Sequence, residues 1–132
     1  MDTSQIYIEM CAKAEEIQAA WKPRAGDFYI YGKQWTEHGV EVLGSVYQYV
    51  FAPDFIWLPR QDQLQKMMGL PLWRLNFDYS KWLYDVDDNG FCDFHIKHDH
   101  LEFTSMEQLW LAFVMWELYK KRWGEIEWRG MQ

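Results

Sequence analysis

Cysteine, basic charge, long apolar runs and catalytic signatures are all scarce in this sequence, and each shortage excludes something. The two cysteines, Cys11 and Cys92, do not make a disulfide framework. Cys11 falls in an expected helix and Cys92 in an expected strand, so nothing in their spacing pairs them, and reduced thiols are expected. The longest apolar run, Leu109 to Trp116, has eight residues, far short of the roughly 20 that span a bilayer. The opening Met-Asp-Thr-Ser-Gln lacks a basic segment followed by an apolar one, so no signal peptide is expected and the protein should work inside the cell that makes it. Thirteen Lys and Arg stand against 20 Asp and Glu, a formal charge of −7. That disfavours direct nucleic-acid binding through phosphates; solubility alone, a basic partner protein or a metal ion suits it better. There is no Gly-x-Ser-x-Gly elbow, no phosphate-binding loop ending in Gly-Lys-Ser/Thr, no His-Glu-x-x-His and no dinucleotide fingerprint. The sequence therefore leans away from an enzyme.

What is abundant is aromatic. Nine Trp, eight Tyr and eight Phe occur in 132 residues, a length that suits one domain with a substantial core. Rings fill such a core first, but these are too many to bury completely, and the surplus is available for recognition or a homodimer contact. Thr104 with Glu107, or Ser105 with Gln108, fits the reciprocal capping of a helix start. Lys120, Lys121 and Arg122 suit its last turn, and Gly124 its stop. A helix over 104–122 that is apolar nearly all round must lie centrally, where its large side chains offer on the order of 10–20 kcal/mol of gross burial.

Ahead of it, Asp2, Thr3 or Ser4 caps a first helix whose inward stripe is Ile6, Met10, Ala14, Ile17 and Trp21, closed by Pro23. Phe28 to Tyr31 reads as a strand, and Val40 to Phe51 as its hairpin partner, with Phe55 to Trp57 either a third strand or a cover. Leu58 to Gly69 reads as a short helix with Leu64, Met67 and Met68 inward. From Leu72 to Tyr84 two patterns compete, helical spacing and strand alternation, and a helix over about 76–85 is favoured. Asp88-Asn-Gly90 is a turn and Phe91 to Lys97 a strand. The expected fold is a single α+β domain spanning 1–132: a small antiparallel sheet, hairpin 27–51 plus a strand near 91–97, packed against an N-terminal helix and the central helix 104–122.

Two segments carry candidate chemistry. Between Asp85 and Glu102, six acids oppose Lys97 alone. Asp85, Asp87, Asn89 and Asp93 follow most of a calcium-loop spacing, but the place of its closing Glu is held by Ile96. His98 and His100, with Cys92, are donors suited to zinc, although the spacing fits no known zinc motif. Calcium or zinc, and a metal-dependent activity with it, therefore compete with a solvated acidic turn, and no cofactor is required. The second segment is Trp57, Arg60, Gln61 and Asp62, read either as a capping network that fixes a turn or as a recognition patch.

Ile56-Trp-Leu-Pro-Arg-Gln-Asp-Gln-Leu-Gln65 and Ser105-Met-Glu-Gln-Leu-Trp-Leu-Ala-Phe-Val-Met115 resemble blocks in small uncharacterised proteins encoded by tailed phages and prophages of Firmicutes. The Ala14–Gln18 run and the Trp123-Gly124…Trp128 ending are similar too, whereas Val40–Phe51 and the acidic segment 85–102 depart from the group. The resemblance implies a bacterial host cytoplasm and no catalytic residues. The expected function is that of a non-enzymatic accessory protein that binds another protein, one form of it being an acidic inhibitor of a host nucleic-acid-handling protein. Metal binding at 85–100 and aromatic nucleic-acid binding are the alternatives.

Overall fold

A computed structural model describes residues 1–32, 39–44, 55–86, 92–96 and 102–130, with the backbone alone at 85–86 and 92–96. The elements are α1 (Gln5–Lys13), α2 (Glu15–Ala19), β1 (Phe28–Tyr31), β2 (Glu41–Val42), β3 (Phe55–Leu58), α3 (Gln61–Met67), α4 (Leu72–Leu83), β4 (Tyr84–Val86), β5 (Cys92–Ile96), α5 (Met106–Tyr119), β6 (Lys121–Trp123) and β7 (Trp128–Gly130). The result is the expected α+β arrangement: a three-stranded antiparallel sheet and separate hairpins, packed with helices from both ends of the chain.

The central helix is α5. Gln108 and every residue from Trp110 to Met115 are buried, as an all-round apolar surface requires. Of the two candidate caps the serine pair is used: Ser105 Oγ accepts from the Gln108 amide at 3.1 Å, and the Gln108 side-chain oxygen accepts from the Thr104 amide at 3.1 Å. Gln108 is only 1% exposed, so its side-chain NH2 also needs an acceptor. Asp2 supplies it from the other end of the chain. One Asp2 oxygen takes the Gln108 side-chain amide at 2.7 Å and the Ser105 hydroxyl at 2.5 Å, and the other takes the Ser4 amide at 2.8 Å. Ser4 itself caps α1, accepting from Tyr7 N at 3.3 Å. Burial pushes the Asp2 pKa up, but the bonds from Ser105, Ser4 and Gln108 outweigh it and hold the carboxyl below its usual range.

The far end of α5 differs from the expectation. The helix stops at Tyr119, with Lys120 left-handed at φ 55°, and Gly124 is not the stop. Strand pairing explains it: Lys121–Trp123 leave the helix to pair with Trp128–Gly130, Trp123 opposite Trp128, their rings 5.1 Å apart. Lys120 and Arg122 place their cations 5.6 and 5.4 Å from the Trp116 ring, a cation–π contact, while Lys121 pairs with Glu16.

The first helix breaks at Ala14, buried at ψ 75°, into α1 and α2. Its inward residues are Tyr7, Ile8, Met10, Cys11, Ala14 and Ile17 rather than a stripe starting at Ile6, which is exposed. The break lets Tyr7 donate its hydroxyl to Pro59 O at 2.5 Å while α2 swings toward the sheet. There Gln18 closes the free edge of β3, donating to Trp57 O at 2.9 Å and accepting from Trp57 N at 2.8 Å.

In the sheet β1 is central, with β2 on one side and β3 on the other. Phe28 faces Val42 and Leu58, and Tyr31 faces Phe55. Only 41–42 of the expected second strand is strand among the described residues; 45–51 lie outside them. The strand near 91–97 forms at Cys92–Ile96 but does not join this sheet. It pairs with β4, its neighbour in sequence, while β1 is already flanked by β2 and β3. The ambiguous segment is the twelve-residue helix α4, longer at its start than expected. It lays Leu75, Tyr79 and Trp82 on α5, where Tyr79 stacks on Trp110 at 4.1 Å and Phe113 meets Tyr79, Trp82 and Trp110 edge-on.

Phe113 is fully buried among these rings, so Phe113→Ala should cost about 3–5 kcal/mol in urea unfolding. A loss below about 1 kcal/mol would mean the ring cluster is not the core. For Asp2 the pKa is depressed, so its stabilisation is present above the ordinary carboxylate value and fades as pH falls through the lower native one. Asp2→Asn should therefore cost about 1 kcal/mol near neutrality and progressively less in acid. An equal cost at both ends of the pH range would contradict the clamp.

Candidate interaction site

Asp27 is the polar centre of the surface formed by α2, β3 and α3. It closes the turn ahead of β1, where Gly26 sits at φ 93°, and is only 3% exposed. A buried carboxylate needs donors around it, and it has them. Oδ2 accepts from Trp21 Nε1 at 2.9 Å and from Arg24 N at 2.9 Å; Oδ1 accepts from the Gln63 side chain at 2.7 Å. The Arg60 guanidinium lies 3.8 Å from Oδ1 and donates to Gly26 O at 2.9 Å and to Asp62 at 3.1 Å. Gln63 closes the ring by accepting from Arg60 N at 2.9 Å, the reciprocal half of a helix cap.

Of the four residues read as a recognition patch, three meet here. Trp57 is buried and lies parallel to Trp21, with ring centres 6.1 Å apart. Arg60 is held by two acids and a carbonyl, and Asp62 is one of those acids. Gln61 stands in the first turn of α3 and does not line the cavity beside them. The capping-network reading thus describes what these side chains do locally. They also wall a cavity of about 350 Å³.

The metal reading falls on residues that are not described. Asp87, Asn89, His98 and His100 lie outside the described residues, as do the side chains of Asp85 and Asp93, whose backbone belongs to β4 and β5. Among the described residues no group of three or more His, Cys, Asp or Glu is placed to hold an ion. Cys11 is a free, buried thiol whose pKa burial pushes up, so it is a packing residue rather than a nucleophile.

The surface that sequence reasoning missed is the outer side of α4. Trp73 is 71% exposed and Phe77 53% there, while Leu72, 83% exposed, stands at the helix start in line with the buried Leu75 and Tyr79. Arg74 and Asp78 form an i,i+4 pair at 3.1 Å, and Lys81 lies 5.4 Å from the Phe77 ring centre. A cleft of about 420 Å³ runs from Leu72 and Trp73 to the buried Trp110. The signal was present in the sequence. The helical set Leu72, Leu75, Tyr79 and Trp82 marks the side turned to the core, and the strand-like alternation Trp73, Leu75, Phe77, Tyr79 arises because Trp73 and Phe77 add rings on the other side of the same helix. No described helix is long and apolar enough to cross a membrane.

Comparison of the chain with protein-family models, with curated proteins and with solved structures finds no match.

If Asp27 is the centre of the turn, Asp27→Ala strands the Trp21 and Gln63 donors and should destabilise the fold by about 2–4 kcal/mol. Asp62→Ala, which removes an exposed partner, should change stability by less than about 0.5 kcal/mol. Equal effects of the two, measured by urea unfolding, would show that Asp27 is not the anchor.

Proposed function

We propose that this chain is a non-enzymatic accessory protein of a tailed phage or prophage, and that it acts by binding another protein through the outer face of α4. The observation that carries the reading is that face: Trp73 and Phe77, one helical turn apart, exposed on a helix whose opposite side is already buried in the core. Exposed aromatic residues are the usual anchors of protein interfaces, and here two share one helix face. The cleft leading to Trp110 gives a partner's side chain somewhere to insert. The phage setting is supported by the Ile56–Gln65 and Ser105–Met115 blocks. The charge of −7 favours a basic partner, such as a nucleic-acid-handling protein of the host, by steering the encounter at long range.

Immobilised wild-type protein should retain a host protein at low salt, with retention falling as salt rises. Trp73→Glu/Phe77→Glu should lose it by about tenfold or more, with an unchanged circular dichroism spectrum, since both side chains stand in solvent. Retention of the same protein by the double variant would remove α4 from the reading. No retention above bare matrix by the wild type would remove binding itself.

A further inference from the structure

The cavity beside Asp27 has a charge opposite to that of the protein around it. Lys22, Arg24, Arg60 and Lys66 line it against Asp27 and Asp62, a local balance of +2 in a chain of −7, which leaves −9 for everything else. Asp27 and Asp62 are already engaged by Arg60, and Asp27 by three further donors. The side chains of Lys22, Arg24 and Lys66 make no hydrogen bond or ion pair among the described residues, so three cations remain at the rim to meet an anion. The wall behind them is aromatic: the parallel indoles of Trp21 and Trp57. Trp21 is the more exposed of the two and Trp57 backs it.

We infer that this cavity binds a mononucleotide, a small phosphomonoester with a planar ring, its phosphate on Lys22, Arg24 and Lys66 and its ring against the Trp21–Trp57 wall. The volume of about 350 Å³ exceeds what a bare phosphate fills and lies at the small end of ligand pockets. Cations that take phosphate and indoles that take a planar ring are the two halves of nucleotide recognition. The negative charge on the rest of the surface works against a long polyanion, which would have to run past it, but not against a ligand that ends inside the rim. An acidic peptide would satisfy the cations and leave the indole wall unused.

The test is isothermal titration of the full chain with AMP, adenosine and inorganic phosphate, one at a time. AMP should bind, and adenosine and phosphate should each bind about tenfold more weakly or worse. Arg24→Glu/Lys66→Glu, at two exposed positions, should weaken AMP by about tenfold or more with unchanged thermal melting. Lys120→Glu/Arg129→Glu makes the same change in net charge away from the cavity and should leave AMP binding as it is. The inference is overturned by no heat with AMP up to about 5 mM. Equal binding of AMP and adenosine, equal binding of AMP and phosphate, or the same loss in both double variants overturns it too. These titrations need no protein partner, so their outcome is separate from that of the α4 face.

Discussion

A helix that is apolar on every side cannot rest on a surface; the chain has to be built around it. That requirement of α5 accounts for the placement of most other elements. Tyr79 and Trp82 of α4 cover one flank with stacked and edge-on rings, α1 lies against another, and the β6–β7 hairpin folds Trp123 and Trp128 back under the end. Burial on this scale brings a polar cost at the helix start, where amides lose water before they gain partners. Ser105, Gln108 and Asp2 meet that cost together, so the deepest apolar element depends on a small polar knot at its rim.

The sheet shows the same economy of means on a smaller scale. A three-stranded sheet has two edges open to further pairing. One is closed by a single side chain, the Gln18 amide, which copies a strand's donor and acceptor at Trp57. Asp27 then ties the turn before β1 to α3 through Gln63 and Arg60. With these contacts made, two features stay unspent: the rim cations of the cavity and the outer rings of α4. They differ in chemistry, one cationic and concave, the other apolar and convex.

How much of this was legible in the sequence depended on whether the signal was local. The cap at Ser105 and Gln108, the apolar run of α5 and the strand at Phe28–Tyr31 are set by neighbouring residues, and they read correctly. The end of α5 did not, because Lys120 takes a left-handed conformation normally left to glycine so that Lys121–Trp123 can reach β7. The pairing of β5 with β4 rather than with the main sheet was equally hidden, because alternation within a strand does not name its partner. Of the segment Trp57, Arg60, Gln61 and Asp62 singled out in the sequence, all but Gln61 line one cavity, but the residue they gather round, Asp27, was not legible, being an ordinary turn residue until the fold buries it. The double pattern in α4 was read as a conflict between helix and strand when it described a helix with two working sides.

The contacts of α1 carry a consequence for how the chain comes to be folded. Residues near the start hold partners from the far end: Asp2 with Ser105 and Gln108, Met10 O with the Trp128 indole at 2.9 Å, Lys13 with Ile126 O at 2.6 Å. The same helix donates Tyr7 to Pro59 in the middle. Its cover is therefore drawn from positions as far as 118 residues along the chain. Contacts of such separation form only after the loop between them has closed, so α1 and the β6–β7 hairpin should lock into place together rather than one after the other.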